Sequence, residues 1–183
     1  MTNYHAFQVR GGASSSWSRR ICGLGHLGVQ WARAMGFETV AIARGTGKAD
    51  EARELGAHHY IDSTAQDVAA ELQKLGGAAV VLATANNAEA MAATVGGLGP
   101  AGELVAVGVT AENLPISPLD IINSGLSVVG HPSGTARDVE ETLHFALLTG
   151  VRAMVEERPL GQAAEAFEAM DAGRARYRMV LTT

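Results

Sequence analysis

From Ile21 onward the chain alternates short apolar runs with stretches in which apolar residues recur every three or four positions. The runs at 39–43 (TVAIA), 79–83 (AVVLA) and 104–109 (LVAVGV) show no polar alternation, as expected of strands covered on both faces of a parallel sheet. Shorter runs at 59–61, 126–129 and 177–181 read as further strands. Between them lie helical patterns. One runs through Trp31 and Met35 to a stop at Gly36, and a second spans 50–55 and closes at Gly56. Others carry Val68, Leu72 and Leu75 up to Gly76, then Met91, Val95 and Leu98 up to a break at Gly99 and Pro100. Thr135 with Asp138 predicts the cap of a helix bearing Val139, Leu143 and Leu147 on one face, and Ala164, Phe167 and Met170 mark a last helix ending at Gly173. This alternation predicts an α/β fold with a doubly wound parallel sheet of Rossmann type. Residues 11–20 (GGASSSWSRR) are the exception and carry no strand pattern, so the first strand is expected to be degenerate.

A chain of 183 residues suits one domain with a substantial core. With 47% apolar residues, 18% charged residues and a net charge of −5, it reads as a soluble globular protein with no general attraction to nucleic acid or to anionic membranes. Residues 1–20 contain no apolar leader, and the longest apolar runs are strand-sized. Together with a single cysteine, Cys22, this predicts a cytoplasmic protein without an internal disulfide.

Candidate chemistry begins at Gly23-Leu24-Gly25-His26-Leu27-Gly28. Glycines at this spacing let a strand turn tightly into a helix whose N–H groups and positive dipole end face a diphosphate. In a chain with 22 glycines the motif alone is weak, and a turn that binds nothing is the alternative. The surrounding strand and helix alternation favours the dinucleotide site. Cofactor choice follows from the end of the second strand: NAD-specific domains place Asp or Glu there for the ribose hydroxyls, whereas NADP needs positive charge for its 2′-phosphate. Here Ala43 is followed by Arg44 and then Lys48, which favours NADP over NAD. Solvated loop charges are the other reading of the two cations.

The text GLGHLGVQWARAMGFETVAIARGTGK, followed by ELGAHHYIDS, LATANNAEAM, GLGPAGELVAVGV and AAEAFEAMDAGRARYRMVLT, resembles the cofactor-binding half of zinc-dependent, medium-chain alcohol dehydrogenases over residues 21–182. Residues 2–7 are similar to the hinge helix joining the two halves of such enzymes, so 1–20 read as a hinge remnant plus an altered first strand and 21–183 as the NAD(P)-binding domain. The resemblance implies that Gly23 and Leu24 offer N–H groups to the pyrophosphate and that Gly25 allows close helix–strand packing. It implies that Thr84 and Ala85 line the adenosine-side ribose and the nicotinamide route. Val107, Gly108 and Val109 would face the nicotinamide ring, with His131 to Ser133 on the same side, and Arg178 would meet the pyrophosphate; a surface charge beside Arg174 and Arg176 is the alternative for Arg178.

Two features depart from the family pattern. Its catalytic zinc uses a Cys₂His site, which one cysteine cannot supply, so no catalytic or metal residue is assigned here. His58 and His59 are strand neighbours that point to opposite faces, and His26 and His144 show nothing to suggest ligation. Aligned on GLGHLG, the family's first two glycines fall on Arg20 and Cys22, and its apolar first strand is replaced by SSSWSRRI. If the serines use TCN codons, the frame read from the third base of the Ala13 codon encodes only Val, Leu, Ile, Phe or Met across this stretch. The expectation is therefore a domain lacking its catalytic half, inactive alone. The rivals are a half-enzyme completed by another chain and a non-catalytic nucleotide-binding or assembly module. A homodimer through the outer strand near 126–129 is the partner reading.

Overall fold

The computed structural model describes the backbone of residues 14–17 and the whole of residues 24–172 and 174–183. The expected hinge helix at 2–7, Arg20, Cys22, Gly23 and Gly173 lie outside the described residues. Six parallel strands form the main sheet: β1 (Ser14–Trp17), β2 (Glu38–Ala43), β3 (His59–Asp62), β4 (Ala78–Ala83), β5 (Leu98–Ala106) and β6 (Ser127–Gly130). Their order is β3-β2-β1-β4-β5-β6, the doubly wound order of a Rossmann domain. The connecting helices are α1 (Gly25–Ala34), α2 (Ala49–Glu54), α3 (Val68–Lys74), α4 (Ala88–Ala92) and α5 (Pro118–Ser124), and α6 (Ala136–Thr149) follows β6.

The stretch expected to hold a degenerate first strand supplies the central one. Ser14 to Trp17 pair with Glu38 to Ala41 of β2 on one side, and Ser15 to Trp17 pair with Val80 to Leu82 of β4 on the other. Two parallel neighbours satisfy the backbone donors and acceptors of β1 whatever its side chains, which is why a polar text occupies a strand position.

The strands divide their side chains between two cores. Val40, Ile42, Val81 and Leu104 pack with Val68 and Leu72 of α3, Met91 of α4 and Val95, whereas Ala41, Val80, Leu82 and Val105 pack with Val29 of α1, Ala52 of α2 and Tyr177. Alternation along β2 and β4 thus feeds both faces, and burial on both faces explains their unbroken apolar text.

Several expectations need correction. The stripe Met91, Val95 and Leu98 is buried, but α4 stops at Ala92, Val95–Gly97 is a 3₁₀ turn, and Leu98 already opens β5. The Thr94 hydroxyl donates to the Met91 carbonyl at 2.7 Å, diverting that carbonyl from a continued helix. Residues 107–109 lie beyond the end of β5. On α6 the predicted cap forms fully: the Thr135 N–H donates to Asp138 at 2.6 Å and the Asp138 N–H to the Thr135 hydroxyl at 3.4 Å. Its predicted apolar face is nevertheless open, with Leu143 56% and Leu147 82% exposed, and the helix meets α1 through Phe145 stacked on Trp31 at 4.9 Å. Phe167 and Met170 of α7 (Ala163–Asp171) are also exposed, and Ala166 is its buried residue.

A second, two-stranded parallel sheet was not anticipated. β7 (Val155–Pro159) pairs with β8 (Arg178–Thr182) from Val155↔Arg178 to Pro159↔Thr182. The text of β7, VEERP, has no apolar run to betray it. The expected sheet edge is as predicted: among the described residues β6 pairs only with β5, and Val128 and Val129 are exposed.

Candidate active site at the carboxyl ends of the parallel strands

From β1 the chain proceeds through α1 to β2 on one side, and from β4 through α4 to β5 on the other. The strand order reverses between β1 and β4, and their carboxyl ends open the crevice where ligands bind in such sheets. Into it faces the start of α1. Leu24 is the N-cap residue and makes no side-chain capping bond, and the first intrahelical bond runs from the Gly28 N–H to the Leu24 carbonyl at 3.1 Å. The N–H groups in the first turn of an α-helix lie outside its own i→i−4 bonding, and no acidic side chain occupies the first turn of α1. That combination suits an anion. Gly25 and Gly28 are buried, consistent with the close helix–strand packing expected of Gly25.

The ends of β4, β5 and β6 come together beside it. Thr84 and Ala85 leave β4 as buried residues. The N–H groups of Val107 and Gly108 both donate to the Ala83 carbonyl, at 3.0 and 2.9 Å, so the end of β5 is folded onto that of β4. A Cβ on Gly108 would overlap the Ala85 carbonyl oxygen and stand 2.6 Å from the Ala85 carbonyl carbon, so only glycine fits this crossing. Val109 projects outward, 82% exposed, while its N–H donates to Asn86 Oδ1 at 3.1 Å. The His131 N–H donates to the Ala106 carbonyl at 3.0 Å, and its ring Nδ1 contacts the Pro132 carbonyl at 2.8 Å, which requires the Nδ1–H tautomer. This seats the segment from His131 to Ser133 against the end of β5.

Ala43, the last residue of β2, is buried, and Arg44 beyond it is exposed. The loop behind Arg44 is held from β3. Asp62 Oδ1 accepts the Gly45 N–H at 2.7 Å, the Thr64 N–H at 2.9 Å and the Thr64 hydroxyl at 2.7 Å. The Tyr60 hydroxyl donates to the Gly45 carbonyl at 2.6 Å. The Thr64 hydroxyl, then the Thr64 and Gly45 amides, hold the Asp62 carboxyl below its ordinary range against the opposing effect of burial. Burial, and then the Asp62 charge, push the Tyr60 phenol up, so it stays a donor.

The fourth wall comes from the far end of the chain. His26, in the first turn of α1, is fully buried and stacks on Tyr177 at 4.7 Å, and its Nε2 accepts the Met154 N–H at 3.0 Å. Lys48 Nζ lies 5.9 Å from the centre of the Tyr177 ring, within cation–π range. Arg178 follows as the first residue of β8, exposed, its N–H donating to the Met154 carbonyl at 3.2 Å.

Thr84, Ala85, Val107, Gly108 and Val109 thus lie at the carboxyl ends of β4 and β5, Leu24 and Gly25 open α1, Arg44 and Lys48 follow β2, and Arg178 is moored next to the first turn of α1 through Tyr177. Gly23 lies outside the described residues. His58 and His59 do not join the site: the Thr39 N–H donates to His58 Nδ1 at 2.9 Å, and His59 pairs with Glu38 at 2.7 Å. The residues missed by sequence reasoning are Tyr60, Asp62, Asn86 and the pair His26 and Tyr177. Asp62 carried one signal, its place in an Asp-Ser-Thr turn, and the others carried none. Among the described residues no group of three or more His, Cys, Asp and Glu is arranged to hold a metal ion.

The family model for zinc-binding dehydrogenases matches residues 23–147. The chain is 45% identical over 160 residues to the alcohol dehydrogenase notN of Aspergillus sp. (strain MF297-2), covering 87% of this chain and 47% of that protein. It is 33% identical over 184 residues to an alcohol dehydrogenase of Geobacillus stearothermophilus, covering 99% of this chain and 55% of that protein. Among solved structures, the alcohol dehydrogenase of Aeropyrum pernix superposes with a TM-score of 0.86 at 26% identity, covering 100% of this chain and 53% of that one. The chain spans about half the length of these relatives. The glycine turn, the reversal of strand order and the extent of these matches lead to one assignment: the chain belongs to the zinc-binding dehydrogenase family, as a counterpart of its Rossmann-like nucleotide-binding domain.

Proposed function

We propose that this chain binds a nicotinamide dinucleotide as the cofactor half of an alcohol dehydrogenase. The observation that carries the reading is Gly108, whose missing Cβ lets the ends of β4 and β5 close onto each other. In the proposed arrangement the first turn of α1, from Leu24 and Gly25, takes the pyrophosphate with Arg178 as counter-charge. Thr84 and Ala85 line the ribose, and residues 107–109 with His131 to Ser133 present backbone groups to the nicotinamide. The bound nicotinamide would supply or accept the hydride in an alcohol–carbonyl interconversion. The chain's own part is to bind and orient it.

NADP is the proposed preference, because Ala43 leaves no carboxylate at the end of β2 and Arg44 is exposed there without an ion-pair partner among the described residues. The family's zinc does not fit this chain's donors, since one cysteine cannot make a Cys₂His site. The chain alone is proposed to be catalytically inactive. The proposed setting is cytoplasmic, from the cysteine-poor composition; among the described residues no helix is long and apolar enough to cross a membrane. A homodimer through β6 is the accompanying reading, favoured by the open edge carrying Val128 and Val129.

Fluorescence titration of the purified chain with NADPH and with NADH, alongside thermal unfolding, tests the reading. Saturable binding with a raised melting temperature and tighter NADPH is expected. Absence of binding to both would refute it.

A further inference from the structure

Arg44 is fixed at its root by its neighbours in the adjacent strand. The Ala43 carbonyl accepts the Ser63 N–H at 2.9 Å, which sets the peptide plane before Arg44. The Gly45 N–H donates to Asp62 Oδ1 at 2.7 Å, which sets the plane after it. The Tyr60 hydroxyl then holds the Gly45 carbonyl at 2.6 Å, while Gly45 itself adopts a left-handed φ of 71°. With both flanking planes fixed, φ and ψ of Arg44 are fixed, and so is the direction of its Cα–Cβ bond. Without these bonds a loop reading Arg-Gly-Thr-Gly would sample many conformations, because its two glycines restrict little.

We infer that Asp62 and Tyr60 are positioning residues for cofactor selectivity, aiming Arg44 at the 2′-phosphate of NADP: Asp62 locks the peptide after Arg44 and Tyr60 the one following Gly45, while the Ser63 amide holds the peptide before it. The inference rests on the dinucleotide reading above. Asp62 is suited to this because it is more than nine-tenths buried and spends one oxygen on three donors, two of them from Thr64 behind the loop. Its charge is thereby taken up locally rather than presented to a phosphate. Pre-ordering a long cationic side chain lowers the entropy lost when it binds. NADH, which lacks the 2′-phosphate, gains nothing from it, so the brace acts on the ratio of the two affinities and not on nucleotide binding as such.

The test is a titration of the full chain with NADPH and NADH in wild type, Arg44→Ala, Asp62→Ala, Asp62→Asn, Tyr60→Phe and the double variant Arg44→Ala/Asp62→Ala, with amide exchange at Gly45 measured without nucleotide. Arg44→Ala should weaken NADPH by about tenfold, the loss of one charge-assisted contact, and leave NADH within about twofold. Asp62→Ala should weaken NADPH selectively by about threefold or more and speed Gly45 exchange. Asp62→Asn, which keeps the Oδ1 acceptor, should restore both, and Asp62→Ala should add nothing once Arg44 is gone. Should Asp62→Ala fail to fold, Tyr60→Phe, which deletes a single hydroxyl, carries the same prediction at smaller size. An unchanged ratio in the folded brace variants, with Arg44→Ala still selective, would overturn the inference alone. Equal loss of both nucleotides in Asp62→Ala would overturn it too, assigning the carboxylate to the ribose diol. If wild type binds neither nucleotide, or Arg44→Ala leaves the ratio unchanged, the cofactor reading has failed and the inference falls with it.

Discussion

Replacing Gly108 with alanine puts a methyl carbon where the Ala85 carbonyl already stands. The new atom would lie 2.6 Å from the Ala85 carbonyl carbon and 2.9 Å from that of Thr84, and it would overlap the Ala85 oxygen. Van der Waals contact between carbons begins near about 3.5 Å, so the two strand ends must part by roughly 1 Å. Every obstructing atom is backbone, and no rotamer change relieves the clash. Parting the strands strains the bonds from Val107 and Gly108 to the Ala83 carbonyl, now 3.0 and 2.9 Å. Overpacking of this kind costs about 1–3 kcal/mol, each strained bond adds up to about 1 kcal/mol, and the stiffer unfolded chain returns about 0.4–1 kcal/mol. The net expectation is a loss of about 2–4 kcal/mol, or roughly 5–15 °C in melting temperature for a chain this long. Urea unfolding and a thermal melt measure the loss, and NADPH titration should show weakened binding. Gly130→Ala is the control, because nothing lies within 4 Å of its Cβ position. A Gly108→Ala chain as stable as wild type, with unchanged nucleotide affinity, would refute the argument.

Three further outcomes are expected. Leu72→Ala empties a fully buried site between α3 and the sheet and should cost about 2–5 kcal/mol in urea unfolding. Thr135→Ala removes the hydroxyl half of the capping box on α6, leaving the backbone N–H of residue 135 on Asp138, and should cost about 0.5–2 kcal/mol, with nucleotide affinity unchanged in the same titration. Asp62 titrates below its ordinary value of 3.8, so its contribution is complete above that value and is lost as pH falls through its lower folded pKa. The protection factor of the Gly45 amide should accordingly hold steady from about pH 7 to 5 and decline only below about pH 4, and then only in part, because the protonated carboxyl keeps an acceptor oxygen as Asn does.

What could be read beforehand depended on whether a feature was local. β2 and β4 announced themselves because burial on both faces demands an unbroken apolar text, and the α6 cap did so because Thr135 and Asp138 meet within one turn. β1 was expected only as a degenerate strand, because its place comes from the ladders offered by β2 and β4 and not from its serines. β7 was hidden for a similar reason, since β8, more than twenty residues later, supplies its partner. The stripe of Val139, Leu143 and Leu147 correctly indicated a helix but said nothing of burial, because periodicity reports an apolar face and not what covers it. At the site, the glycine turn and the missing carboxylate at Ala43 were legible. The collision awaiting a Cβ at Gly108 and the grip of Asp62 on Gly45, 17 residues away, required the strands to be in place.

The contacts of His26 with Met154 and Tyr177 also bear on how the domain is made. The first pairs residues 128 positions apart, and the second reaches farther still. During synthesis the glycine turn emerges early, yet its stacking partner is translated only after every strand of the main sheet. The wall beside the proposed pyrophosphate site therefore closes late, and a nascent chain holds the main sheet before it holds a finished cradle. Destabilising β8 should delay or abolish that final step while leaving the six-stranded sheet able to assemble.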